Sequence, residues 1–270
     1  MVSKANPYVV LVRLRMRAQT VYRGSFAIEL VASLGATISG FLEIYVIFAN
    51  VPALGGLDFP AAVLVFAIGH VSFSLADLVV GHLDALPTYL RSGTLDAFLL
   101  RPLPVLAQLI TAEISLRRFG RTAAGSALAV VALAHSDVAW SPAKAALLAV
   151  TVCAGAALFA ALFVGAAAVQ FWLVEGTEFT ASFVYGGNYA AQFPTSVFGT
   201  PARVLFTFVV PAAFVAYLPV LALLDIPGAA PGGIPAGVLG WCSPIAAAAV
   251  WTVALLGWRA GLRHYTGAGS

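Results

Sequence analysis

The chain has 270 residues, of which 61% are hydrophobic and only 9% are charged, and its mean hydropathy is +0.97. Soluble proteins carry about 25% charged residues, so this composition excludes a solvated globular protein and leaves no room for a large soluble domain. The formal net charge of +3 would indicate nucleic acid only if it were clustered, and no nucleic-acid partner is expected. We therefore predict an all-α polytopic protein in contact with membrane lipids.

Six apolar segments are long enough to cross a membrane, because one crossing of a ~30 Å hydrocarbon layer takes about 20 residues. The first follows a basic, amphipathic N-terminal segment and is too long for a signal peptide. The third contains small residues at 123–127 that would let a neighbouring helix approach closely. The predicted spans are about 26–51, 59–80, 122–140, 143–174, 203–224 and 238–258.

Charge placement sets the predicted orientation. With six crossings and cytoplasmic N- and C-termini, thirteen of the fourteen Lys and Arg residues lie on the cytoplasmic side and only Lys144 lies outside. A seventh crossing at residues 179–198 would move Arg259 and Arg263 to the outside. We therefore expect residues 179–198 to lie in the interface or to re-enter from the cytoplasm, with a spanning segment as the alternative.

Charge and proline are concentrated between the second and third spans, at residues 90–106, LRSGTLDAFLLRPLPVL. We name these residues the charged segment. Its apolar residues recur at helical spacing and predict a short amphipathic helix with one apolar face, made of Leu90, Leu95, Phe98 and Leu99.

The polar residues of the charged segment predict where this helix begins and ends. Thr94 can cap the N-terminus, and Asp96 is favourably placed in the first turn. Pro102 disfavours helical geometry at Arg101, so the helix should end there. Such a helix could insert into a groove on a soluble partner, and the alternative is a helix that lies on lipid.

Three stretches carry a family resemblance. Residues 92–103, SGTLDAFLLRPL, closely resemble the cytoplasmic segment of ABC-2 type export permeases, which share a pattern like G-x-L-D-x-x-L-L-R-P-L. Residues 261–270, GLRHYTGAGS, resemble the ending GLRRYxSAGS of the same branch and depart from it at His264 and Gly267. Residues 200–220 are similar to the fifth helix of the family, with its two spaced prolines.

The resemblance implies the permease subunit of an exporter in the bacterial plasma membrane. It implies two separate ATP-binding subunits, which would hold ATP and Mg²⁺, and a second ABC-2 permease, either this chain or a paralogue. The chain itself has no P-loop, is expected to hold no cofactor and is not expected to be an enzyme. The resemblance makes the charged segment the coupling helix, with candidate coupling residues Arg91, Gly93, Thr94, Leu95, Asp96, Phe98, Leu99, Arg101 and Pro102.

Acidic and aromatic side chains inside the spans leave alternatives open. A carboxylate in hydrocarbon usually faces protein or a water-filled path, so Glu43 has either a packing role or a pathway role. Asp77 and Glu29, nearer the cytoplasm, are expected in ion pairs with arginines such as Arg23. Four residues of the fifth span either line a pathway or belong to the core or the lipid-facing surface: Phe206, Phe208, Phe214 and Tyr217.

Two other classes of protein fit parts of the sequence. An ion-coupled secondary transporter would use Glu43 and Asp77 but would leave the charged segment unexplained. A membrane assembly protein without transport activity is the other alternative. The scattered histidines and the two isolated cysteines, Cys153 and Cys242, indicate neither a metal site nor catalysis.

Overall fold

A computed structural model describes residues 23–112, 116–173, 177–227 and 234–267, and their regular secondary structure is helical. Four helical stretches are long and apolar enough to cross a membrane, and a strongly bent pair would be a fifth. This architecture agrees with the predicted all-α polytopic membrane protein. The predicted amphipathic N-terminal segment lies outside the described residues.

Thirteen α-helices follow one another along the described chain. Short π-helical turns at Ala181–Tyr185 and Leu205–Val209 follow α8 and α10, and a 3₁₀ turn at Gly81–Ala85 follows α2. The helices are α1 (Arg23–Phe48), α2 (Phe59–Val80), α3 (Leu86–Arg91), α4 (Leu95–Leu99), α5 (Val105–Ile110), α6 (Leu116–Ala134), α7 (Pro142–Val169), α8 (Thr177–Thr180), α9 (Gly186–Ala191), α10 (Thr200–Val204), α11 (Tyr217–Leu223), α12 (Ala236–Leu239) and α13 (Ser243–His264).

Local capping chemistry sets the start of two long helices. The Asp58 carboxylate accepts a hydrogen bond from the backbone N–H of Ala61 at 3.1 Å, and α2 begins at the next residue after Asp58. The Ser141 hydroxyl accepts from the N–H of Lys144 at 3.2 Å before α7. Both helices carry proline in the first turn, where its missing N–H costs no intrahelical hydrogen bond.

Helix α2 lies at the centre of the bundle and is almost entirely buried. Helix α7 runs parallel to it, since Gly155 lies against Ser72 and Phe159 and Phe163 contact Phe73. Helix α13 runs parallel to α7, because Ala254 lies against Gly165 and Gly261 against Phe171. The two ends of α2 therefore define two ends of the bundle, named here the Phe59 end and the Val80 end.

Helices α1 and α6 run antiparallel to α2. Thr37 of α1 is hydrogen-bonded to His70 at 3.2 Å, and Phe48 stacks edge-on against Phe59. A side chain at Gly125 of α6 would come within 2.7 Å of the His70 ring, so the small residues at 123–127 do allow a close helix contact. The third predicted span, 122–140, is displaced toward the N-terminus, since α6 spans Leu116–Ala134. Arg118 and Arg121 can lie within this helix because both pair with Asp77.

Residues 177–197 extend along α2 from one end to the other. At the Val80 end, Gln170 donates a hydrogen bond to Thr180 at 2.7 Å, and at the Phe59 end Ser196 donates to the Gly55 carbonyl at 2.7 Å. Between them Ala191 packs against Gly69. Residues 177–197 therefore pack along α2, where their polar side chains find partners inside the protein, and the placement of 179–198 relative to the membrane stays a prediction.

The predicted fifth span, 203–224, is not one helix. Thr200–Val209 and Ala212–Leu223 meet at 68°, and Pro211, which cannot donate a backbone hydrogen bond, lies at the break. Arg203 donates to the Ser196 carbonyl at 3.1 Å, and Asp225 pairs with Lys144 at 2.6 Å. Both ends of the bent pair therefore lie at the Phe59 end of the bundle.

Candidate functional site

The charged segment folds into short helices at the Val80 end of the bundle. Helix α3 ends at Arg91, and Gly93 reverses the chain with φ +69°, a conformation that glycine adopts without steric cost. Helix α4 ends at Leu99, before Pro102, as the proline predicts. The predicted Thr94 cap is wrong: the Thr94 hydroxyl is hydrogen-bonded to the Ser92 hydroxyl at 2.8 Å, and no side chain caps α4.

Part of the charged segment is anchored in the protein core. Leu95 is completely buried, and half-buried Phe98 packs edge-on against Tyr89 with ring centroids 5.6 Å apart. Buried Gln108 of α5 donates to the carbonyls of Phe98 and Leu103, both at 2.9 Å. These contacts fix α4 against α5, so Leu95 is not part of a face that a partner could contact. Its predicted place on a docking face is wrong, because the core takes that face.

A different set of side chains is exposed. Leu100 is 87% exposed, and Leu99 and Leu103 are 45% and 40% exposed. Arg91 and Arg101 are also exposed, and the Arg101 guanidinium lies 5.7 Å from the centre of the Phe98 ring. We name these five residues the exposed face. The helical pattern alone did not identify Leu100 and Leu103, because both lie beyond the end of the five-residue helix α4. Packing against the core decides which side chains of this region are covered.

The C-terminal motif contacts the charged segment. The Tyr265 hydroxyl donates a hydrogen bond to the Asp96 carboxylate at 2.9 Å, and the Tyr265 ring packs against Phe171 at 6.2 Å. Burial and this hydrogen bond raise the pKa of Tyr265, so the hydroxyl keeps the proton that it donates. Gly267, with φ +83°, lies beside the same carboxylate. The sequence offered both motifs but no indication that they touch.

A buried ion pair joins α2 and α6 near the charged segment. Asp77 lies 3.4 Å from Arg118 Nε and 3.2 Å from Arg121 Nη1, and Arg118 also donates to the Asp77 carbonyl at 3.0 Å. This arrangement is the structural ion pair expected for Asp77, with arginines of α6. The side chains of Glu29 and Arg23 lie outside the described part of the chain.

The candidate pathway residues do not share one surface. Exposed Glu43 accepts a hydrogen bond from the Tyr189 hydroxyl. Phe206 packs against Phe198 at 5.3 Å, whereas Tyr217 packs against the core at the Phe59 end. Phe208 and Phe214 line a cavity of about 490 Å³ that lies against α7 and α13. The bend at Pro211 lies between Phe208 and Phe214, so these aromatic residues belong to two differently directed parts of the bent pair.

Metal ligands are not grouped in the described part of the chain. No cluster of three or more His, Cys, Asp or Glu side chains within residues 23–112, 116–173, 177–227 and 234–267 could hold a metal ion.

The chain matches a known protein family over most of its length. The family model described as "ABC-2 family transporter protein" matches residues 34–269. The matched range includes the charged segment, both helices of the bent pair and the C-terminal motif up to residue 269. No curated protein and no solved structure shows significant similarity to the chain.

Proposed function

The chain belongs to the ABC-2 family of transporter proteins, and we propose that it is the permease subunit of an ATP-driven exporter in a bacterial plasma membrane. Two ATP-binding subunits would hydrolyse ATP with Mg²⁺, and a second permease, the same chain or a paralogue, would complete the translocation path. The observation that carries this proposal is the exposed face of the charged segment, with Leu99, Leu100 and Leu103 and two arginines.

The proposed topology has the Val80 end in the cytoplasm. In the described part of the chain, Lys144 and Arg203 lie at the Phe59 end, and the other basic residues lie at the Val80 end, which supports this orientation: Arg91, Arg101, Arg118, Arg121, Arg259 and Arg263. The crossings would be α1, α2, α6, α7, residues 177–197 and α12 with α13. Residues 200–223 would re-enter from the outside, and both termini would be cytoplasmic.

The exposed face is the proposed docking site for the ATP-binding subunit, and contact with lipid is the alternative. Apolar side chains exposed together at the cytoplasmic end form a patch that favours burial, and each Leu contributes about 1.5–3 kcal/mol when it becomes fully buried. Arg91 and Arg101 would pair with acidic groups of the ATP-binding subunit. Movement of that subunit would reach α2 directly, because only the turn at Gly81–Ala85 separates α3 from α2.

The surface around Glu43 and Tyr189 is the proposed contact with the second permease. A carboxylate that faces hydrocarbon is costly, whereas one that faces protein or water is tolerated. Glu43 is exposed in this single chain, and its carboxylate accepts a hydrogen bond from the Tyr189 hydroxyl. Covering this surface with the second permease would let Glu43 line the path between the two subunits.

Substitution of Leu100 tests the docking proposal. Leu100→Asp would place a carboxylate without a partner in the interface, at a cost of about 3 kcal/mol, which is roughly a hundredfold in affinity. The ATP-binding subunit, identified by Walker motifs encoded beside this chain, should copurify with Leu100→Met and not with Leu100→Asp. Equal recovery with both variants would contradict the proposal. Leu95→Asp is unsuitable as a test, because Leu95 is buried and its substitution would report folding.

A further inference from the structure

We propose that the C-terminal tail, residues 265–267, positions the charged segment for docking, and that Tyr265 is the positioning residue. The inference deepens the proposed function and rests on it, because it concerns the same docking site. Its central observation is the hydrogen bond from the Tyr265 hydroxyl to the Asp96 carboxylate at 2.9 Å, between residues 169 positions apart.

Tyr265 follows the end of α13, which packs closely against α7. A side chain at Gly261 would lie 2.5 Å from the Phe171 ring and 3.0 Å from the Ala168 carbonyl, so α13 and α7 are in close contact there. Trp258 packs against Phe171 with centroids 5.3 Å apart, and the Tyr265 backbone N–H donates to the Gly261 carbonyl at 3.1 Å. The Tyr265 hydroxyl is therefore held in place by α7 and α13.

Helix α4, which receives this hydrogen bond, is short, and the tail adds a restraint to its contacts with the core and with α5. It has five residues, with the left-handed turn at Gly93 before it and Pro102 after it. Leu95 and Gln108 hold its inner side, and Asp96 is its polar contact with the tail. Asp96 lies four residues before Leu100, which is one helical turn, so a restraint on Asp96 also restrains the exposed face.

The tail adds a connection between the docking face and the membrane domain. The charged segment is joined covalently to α2 through α3 and to α6 through α5, and Leu95 packs in the core, whereas the hydrogen bond joins it to the end of α13. A displacement of the charged segment would therefore act on α13 as well as on α2. The resemblance places Asp96 among the coupling residues. In this proposal Asp96 makes a contact within the permease, since one of its carboxylate oxygens accepts a hydrogen bond from Tyr265.

Hydrogen–deuterium exchange on the purified permease tests the tail directly. Tyr265→Phe keeps the ring against Phe171 and removes only the donor, so the chain should fold, and the amides of residues 95–100 should exchange about tenfold faster. Tyr45→Phe, on α1, is the matched control and should not change them. Asp96→Asn retains an oxygen acceptor and should have a smaller effect than Asp96→Leu. Unchanged exchange in Tyr265→Phe would overturn the proposal.

Binding of the ATP-binding subunit separates this inference from the proposed function. Tyr265→Phe should weaken binding about tenfold. The double variant Tyr265→Phe/Asp96→Leu should bind no more weakly than Asp96→Leu, because the two substitutions remove the same hydrogen bond. If Leu100→Asp abolishes binding but Tyr265→Phe binds like the wild type, the positioning role is refuted and the docking site stands. If Leu100→Asp binds normally, the proposed docking itself fails.

Discussion

The Ser196 hydroxyl donates a hydrogen bond to the Gly55 carbonyl at 2.7 Å, which ties the end of residues 177–197 to the loop between α1 and α2. The same residues begin beside Gln170 at the opposite end of the bundle. This relationship places the segment from 177 to 197 along the full length of α2. It gives the proposed topology a direct test.

Thr200 is exposed at the Phe59 end, so a cysteine there should react with a membrane-impermeant maleimide added outside intact cells. The measurement uses a variant in which Cys153 and Cys242 are replaced. Ala53→Cys is the external control, and Ser92→Cys, in the charged segment, is the internal control. Labelling of Thr200→Cys only after the membrane is opened would contradict a crossing at 177–197 and restore one at 203–224.

Loss of the buried ion pair should destabilise the protein. Asp77→Ala leaves Arg118 and Arg121 without their carboxylate in a buried site, so the free energy of unfolding should fall by about 3–5 kcal/mol. Lys144→Met breaks a pair whose Asp225 side chain is 72% exposed, and it should cost less than about 1 kcal/mol. Thermal unfolding in detergent compares the two variants. Equal losses would show that burial does not decide the strength of these pairs.

The contact between Gly69 and Ala191 should tolerate no side chain. A Cβ at Gly69 would lie 2.8 Å from the Ala191 carbonyl oxygen, so Gly69→Ala must displace backbone and should cost about 1–3 kcal/mol. Gly35→Ala, in α1, meets no atom within 4 Å and should stabilise the helix by about 0.5–1 kcal/mol. Unfolding measurements on both variants in the same detergent check this contrast. A stable Gly69→Ala protein would mean that residues 177–197 do not pack on the middle of α2.

Substitution of Glu43 separates a pathway role from a packing role. Glu43→Gln keeps an oxygen that accepts from Tyr189, so the amount of assembled complex should not change, whereas removal of the charge should alter ATP hydrolysis severalfold. Size-exclusion chromatography and the ATPase rate of the reconstituted complex measure the two effects. Tyr189→Phe, which removes the hydrogen bond but keeps Glu43 charged, is the matched variant. A Glu43→Gln complex that is assembled and fully active would contradict a pathway role.

The sequence by itself determined the class of the protein and much of its local structure. The lengths of the apolar runs indicated the regions of α1, α2, α7 and α13, because the length needed to cross hydrocarbon is a property of consecutive residues. Pro102 predicted the end of α4, since proline restricts the residue before it. The motifs at residues 92–103 and 261–270 indicated the family, which the match over residues 34–269 then showed.

Tertiary structure alone decided which segment extends along α2 and which side of the charged segment is exposed. Charge placement alone kept residues 179–198 out of the predicted crossings, because a seventh crossing would move Arg259 and Arg263 to the outside. Gly55 and Gln170 provide partners for this segment that no local pattern reveals. Leu95 and Leu100 are equally apolar, and packing buries one and exposes the other. Asp96 and Tyr265 meet across 169 positions. Each outcome depends on contacts between distant residues, and local spacing carries no information about which distant groups the fold brings within hydrogen-bonding distance.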